Sequence, residues 1–96
     1  MSFFGIFKTN MEVTKKVYSY LDGGTIVIHT NKGKFCIDQR PNSATKNQLY
    51  NGDPDESKIV SSKKTINKLI DALKNNLNGE DFQLTLTALG ILRKDI

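Results

Sequence analysis

Apolar and polar positions change their period along this chain, and each change marks a different kind of element. Val13-Thr14-Lys15-Lys16-Val17-Tyr18-Ser19-Tyr20-Leu21 is rich in β-formers and predicts a strand, closed by Asp22-Gly23-Gly24, where glycine reaches positive φ at little steric cost. Thr25-Ile26-Val27-Ile28-His29-Thr30 is β-branched almost throughout and predicts a second strand. After a turn at Asn31-Lys32-Gly33, Lys34-Phe35-Cys36-Ile37-Asp38-Gln39-Arg40 alternates apolar and polar as a third. With Lys32-Gly33 as the two central turn residues, Ile28 opposes Ile37 and His29 opposes Cys36. Ile26, Ile28, Phe35 and Ile37 then share the core face. A three-residue loop with Gly33 at a bulge is the alternative register.

The period then breaks. Residues 41–58 carry turn chemistry at Pro41-Asn42-Ser43, Asn51-Gly52 and Asp53-Pro54-Asp55, around an isolated Leu49-Tyr50 pair. A loop of this length in a small domain is usually functional or mobile. Lys58-Ile59-Val60 adds a short strand after it. Ile66, Leu69, Ile70, Leu73 and Leu77 return at helical spacing and predict an amphipathic helix over about 62–77. Ser61 or Ser62 caps its start and Asn78-Gly79 its end. Phe82, Leu84 and Leu86 alternate with Gln83, Thr85 and Thr87, which predicts a final C-terminal strand, while Ala88-Leu89-Gly90-Ile91-Leu92 fits a helix equally well.

The expected fold is a single α+β domain over residues 1–96, an antiparallel β-meander of four to five strands packed against one main amphipathic helix. A chain of 96 residues supports one modest core and no second one. Ahead of it, residues 2–10 form an apolar leader in which Phe3, Phe4, Ile6 and Phe7 need a partner, since burying each is worth about 1.5–3 kcal/mol. Packing over the open end of the sheet satisfies them; a subunit interface, a host-protein groove or a membrane surface are the alternatives. The leader lacks the basic start, apolar length and cleavage site of a secretory signal, and no run approaches the roughly 18 apolar residues of a membrane span. One cysteine excludes an intrachain disulfide framework. These features place the chain, as an expectation, in the cytoplasm.

The formal charge is +4 and unevenly placed. Lys63, Lys64, Lys68 and Lys74 stand against Asp71 on the predicted helix, while the long loop holds Asp53, Asp55 and Glu56. A lysine-rich helix face is either an electrostatic footprint for nucleic acid or a solvated surface that aids solubility. The helix has no arginine or aromatic residue on its polar side, which leaves nucleic-acid binding second to the solvated reading.

Three side chains form the one constellation suited to catalysis. His29, Cys36 and Asp38 share a sheet face in the register above, and an imidazole across from a thiol lowers the thiol pKa. A flat sheet face offers no oxyanion hole, and cysteine commonly serves as a small core filler. Asp53-Pro54-Asp55-Glu56 does not complete a calcium loop, Asp22-Gly23-Gly24 leads into a strand rather than a helix N-terminus, and no Walker-type loop, GxSxG or HExxH occurs. No metal or cofactor is expected. The function predicted is that of a small non-catalytic binding or regulatory protein, of accessory or inhibitor type, acting through protein–protein contact. Leu49, Tyr50, Asp53 and Asp55 of the loop and the free face or edge of the sheet are the expected contact surfaces. A homodimer through a sheet edge or the Phe3–Phe7 leader is compatible with this. The alternatives are a nucleic-acid-binding module using Lys63, Lys64, Lys68 and Lys74, and a thiol-dependent enzyme using Cys36 and His29.

Overall fold

The computed structural model describes residues 10–21, 24–75 and 82–95. Its elements run β1 (Tyr18–Leu21), β2 (Thr25–Thr30), β3 (Gly33–Asp38), β4 (Leu49–Tyr50), α1 (Lys63–Asn75) and α2 (Phe82–Asp95). The class is α+β. Three antiparallel strands of four to six residues form the body of the sheet, and a two-residue β4 extends it in the order β1-β2-β3-β4. The sheet therefore falls short of the expected four to five full strands. Ile59 adds only a single bridge to Tyr50, so the strand expected at Lys58–Val60 shrinks to one paired residue.

The meander forms where the sequence places it, but with another hairpin register. Ile26 pairs with Ile37, Ile28 with Phe35 and His29 with Lys34. The turn belongs to Asn31 and Lys32, not to Lys32 and Gly33. A two-residue turn centred on Lys32-Gly33 that matched the strand twist would need positive φ in its first central residue, and lysine resists that. Instead Gly33 alone takes it, at φ +121°. Thr30 completes the turn: its hydroxyl accepts from the Lys32 N–H at 3.0 Å and donates to the Gly33 carbonyl at 2.7 Å. Because the slip is two residues, Ile26, Ile28, Phe35 and Ile37 keep the core face expected of them.

Upstream of β1, Val13 bridges Thr30 and its neighbour Thr14 donates to the His29 carbonyl at 2.9 Å. Asn31 holds this segment from the other side, accepting from the Glu12 N–H and donating to the Asn10 carbonyl, each at 2.8 Å. The pairing slips between Val13 and Tyr18 and again between Tyr18 and Leu21, so the expected strand 13–21 is a strand only over its last four residues and is irregular even there. The apolar leader at 2–9, Asp22-Gly23, Leu77 and the Asn78-Gly79 cap lie outside the described residues.

The predicted helix is present as α1. Ser62 caps it, its hydroxyl accepting from the Thr65 N–H at 3.3 Å. Ile66, Leu69, Ile70, Ala72 and Leu73 form its buried stripe. They pack with Val13, Val17, Ile26, Ile28, Phe35, Ile37 and Leu49 into one cluster.

The final segment overturns its prediction: residues 82–95 are helical, and no C-terminal strand forms there. Phe82, Leu84 and Leu86 imitate a two-residue period, yet burial follows Thr85, Leu89 and Leu92, a helical stripe with a threonine in it. Leu89 and Leu92 join the same core. Thr87 donates back to the Gln83 carbonyl at 2.9 Å, as helical threonines do. Arg93 and Lys94 occupy the last turn, where cations complement the helix dipole. The two helices also meet directly, Arg93 donating to the Asn67 side-chain carbonyl at 3.2 Å.

Truncation separates the two readings of this segment. Leu89→Ala should lower unfolding free energy by about 2–5 kcal/mol, and Leu84→Ala by less than about 1 kcal/mol. Urea denaturation measures both, and the opposite ranking would restore an inward-facing Phe82, Leu84 and Leu86 strand row.

Candidate recognition groove and the clasped outer face

β3 ends in Asp38, whose side chain points to the sheet face away from the helices and is fully buried there. A carboxylate removed from water must be paired and fully hydrogen-bonded, and this one is. Arg40 grips it in a fork, Nε donating to Oδ1 at 2.9 Å and Nη2 to Oδ2 at 3.0 Å. The Arg40 backbone N–H adds a third bond at 3.0 Å, and the Ser43 and Thr45 hydroxyls donate to Oδ2. The Arg40 guanidinium is the main reason the carboxyl is held well below the usual carboxylate range. Burial opposes that shift, while Ser43, the Arg40 N–H and Thr45 reinforce it. In return Asp38, and after it Asp55, raise the guanidinium pKa above its ordinary value. Every carboxylate acceptor is thus engaged, and Asp38 is a structural anchor rather than an available base.

The anchor shapes the turn that follows. Asp38 donates its N–H to the Gln48 carbonyl at 3.0 Å and accepts from the Asn47 N–H at 2.6 Å, so residues 39–47 close on themselves. Asn47 takes a left-handed conformation at φ +73° to achieve this, one that asparagine tolerates better than most residues. Gln39 donates to its side-chain carbonyl at 2.9 Å. Lys46, Asn47 and Gln48 are thereby fixed as one rim of a groove of about 350 Å³. α2 supplies the opposite wall and floor through Leu84, Thr87, Ala88, Ile91 and Leu92. Leu84 and Ile91 are 45% and 57% exposed, unusual for large apolar side chains one helical face apart. The groove offers hydrocarbon below, with amides and one ammonium above.

The outer face itself is covered. Lys34 Nζ binds Asp53 at 2.6 Å, and Arg40 Nη1 binds both oxygens of Asp55 at 3.2 Å. Lys34 and Arg40 flank the outward row of β3, their Cα atoms up to roughly 20 Å apart at about 3.3 Å per residue. Asp53 and Asp55 are only two residues apart, so both cations lean inward and draw the acidic turn over the middle of β3. Thr25 and Arg40 lie beside Asp53, Pro54, Asp55 and Glu56, and Val27, Cys36, Asp38 and Tyr50 are buried on the same sheet face.

These placements redistribute the residues expected to act. Leu49 and Tyr50 are buried sheet residues, paired with Ile37 and Cys36. Asp53 and Asp55 are exposed but engaged within the chain. His29 does not face Cys36; it pairs with Lys34, while Cys36 lies between Val27 and Tyr50. The His29 imidazole is held below its ordinary pKa, mainly by partial burial and then by Lys15 and Lys34. His29 and Cys36 are therefore not directly opposed, as the enzymatic alternative had placed them, although His29, Cys36 and Asp38 do share a face. Lys63, Lys64, Lys68 and Lys74 are all exposed on α1. Among the described residues, no three His, Cys, Asp or Glu side chains converge as a metal site would require, and no helix is long and apolar enough to cross a membrane. Leu84, Ile91 and the 46–48 rim escaped the sequence reading because they matter only once residues 82–95 are a helix. Their available signal was the seven-residue spacing of Leu84 and Ile91. No protein-family model, curated protein or solved structure matches the chain.

The anchor makes stability depend on acid. The folded carboxyl has a lower pKa than the ordinary 3.8, so its contribution is complete above that pH and is lost as pH falls toward the depressed value. Asp38→Asn should cost roughly 3 kcal/mol at pH 6 and flatten the acid decline. Urea unfolding at pH 6 and below about pH 3 tests this, with equal acid slopes counting against it.

Proposed function

We propose that this protein is a non-catalytic binding protein that uses the groove between α2 and the 46–48 rim to hold a segment of a partner protein. The observation that carries the reading is the exposure of Leu84 and Ile91 along one helix wall, opposite a rim held by the ion pair of half-buried Arg40 with buried Asp38. Apolar surface gathered in a groove with polar groups along its rim is the usual form of a recognition site. Lys46 lines the groove, Lys94 extends the Leu84–Thr87–Ile91 stripe by one turn, and among the described residues no acidic side chain lines it. The complementary occupant is an amphipathic acidic segment that sets two apolar side chains on Leu84 and Ile91 and its carboxylates toward these lysines. With Asp38 saturated and Cys36 covered, binding fits the groups on display better than chemistry does.

A second reading has one observation in its favour. Among the described residues, Lys63, Lys64, Lys68 and Lys74 form no ion pair, and Lys63 and Lys64 sit in the first turn of α1, where a cation opposes the helix dipole. An anionic polymer lying along α1 would relieve that conflict.

Charge and apolar substitutions discriminate between the two. A synthetic acidic amphipathic peptide carrying leucines seven residues apart should perturb the amides of α2 and residues 46–48 on titration. Ile91→Glu should weaken its binding roughly tenfold or more, and Lys64→Glu with Lys68→Glu should leave it unchanged. Perturbations confined to α1, with steeply salt-dependent binding of an oligonucleotide, would favour the second reading.

A further inference from the structure

The segment from Asn51 to Lys58 is tied to the rest of the molecule differently from everything else described. None of its residues belongs to the hydrophobic core cluster. It leaves and rejoins the sheet at one narrow neck, where Asn51 donates to the Lys58 carbonyl at 3.2 Å and Val60 to the Leu49 carbonyl at 2.7 Å. Within it, the Glu56 N–H and the Ser57 hydroxyl both donate to the Asp53 carbonyl, so the turn holds its own shape. Gly52 begins the fold-back at φ +124°, and a Cβ there would meet the Ser57 Cβ at 3.1 Å. Only glycine makes this pivot without strain.

What closes the segment over the sheet is charge. Among the described residues, Lys34–Asp53 and Arg40–Asp55 tie it to the sheet through side chains, with the Asp53 and Asp55 side chains 52% and 77% exposed. Ion pairs this wet are weak and screened by salt. The covered face beneath is apolar at its centre, where Val27, Cys36 and Tyr50 line up across β2, β3 and β4. The inner core, on the other side of the sheet, contributes nothing to holding the segment down.

We infer that residues 51–58 form an electrostatically latched lid over the outer sheet face, which swings on Gly52 and opens without unfolding the rest of the protein. Ionic strength is the control variable: salt weakens both latches and leaves the core untouched. Opening uncovers the Val27, Cys36 and Tyr50 row, a surface separate from the α2 groove.

Cys36 is the chain's only cysteine and is buried on the sheet face that carries both latches, so if the lid covers it its alkylation rate reports opening. The experiment compares the wild type with the Asp53→Asn/Asp55→Asn double variant, using an uncharged maleimide, from low to high sodium chloride. Each rate is normalised to that of the urea-unfolded chain at the same salt, which removes any effect of salt on the thiol itself. The expected result is labelling roughly tenfold faster in the double variant at low salt. Wild-type labelling should rise with salt toward the variant's nearly flat rate, and the urea unfolding midpoints should stay close together. Equal labelling and equal salt response in the two proteins would overturn the lid, as would wild-type labelling that follows global unfolding from the lowest urea concentrations. Should the double variant prove unstable, the wild-type salt response decides alone: a rate independent of salt in the folded protein overturns the inference.

Discussion

One ion pair governs the exposed half of this structure. Asp38 is placed on the outer sheet face by the alternation of β3, and burial there would be prohibitive without Arg40. The fork between them recruits Ser43 and Thr45, which closes the 39–47 turn and sets the groove rim. The guanidinium's remaining edge reaches Asp55 and holds one end of the 51–58 segment. Two surface features that share no backbone contact thus depend on the same side chain. The core on the inner side is built from apolar residues of the sheet and both helices.

That division explains why some of the molecule was legible in the sequence and some was not. α1 was legible because five apolar residues at helical spacing admit one burial geometry. β2 and β3 were legible because β-branched residues and strict alternation point the same way, and because a hairpin slip of two leaves every face unchanged. The slip itself hinged on the Thr30 hydroxyl bridging the turn, a local bond that no periodicity records. α2 misled because its apolar residues lie all round the helix and Thr85 occupies a buried position. Its identity as a helix is a tertiary outcome: Leu89 and Leu92 gain the core only in that form.

The candidate site was legible in its parts and not in its assembly. Asp38, Asp53, Asp55 and Lys46 were visible as charges, and Leu49-Tyr50 as an apolar pair in a polar stretch. A polar residue in an alternating strand reads as solvent-facing, and nothing in Asp38's neighbours announces that a segment 15 residues on will fold over it through Arg40. Likewise Leu49 and Tyr50 read as a displayed pair until the sheet recruits them as its fourth strand.

Among the described residues, the two sides of the sheet end in different ways. On one side the ladder tapers to Leu49–Tyr50 and the lone Ile59 bridge; on the other, the pairing of residues 13–21 slips twice past β2. A growing fibril needs a long, straight row of waiting donors and acceptors. Over the described residues this sheet ends in one short margin and one crooked one, the shapes by which edge strands discourage edge-to-edge pairing.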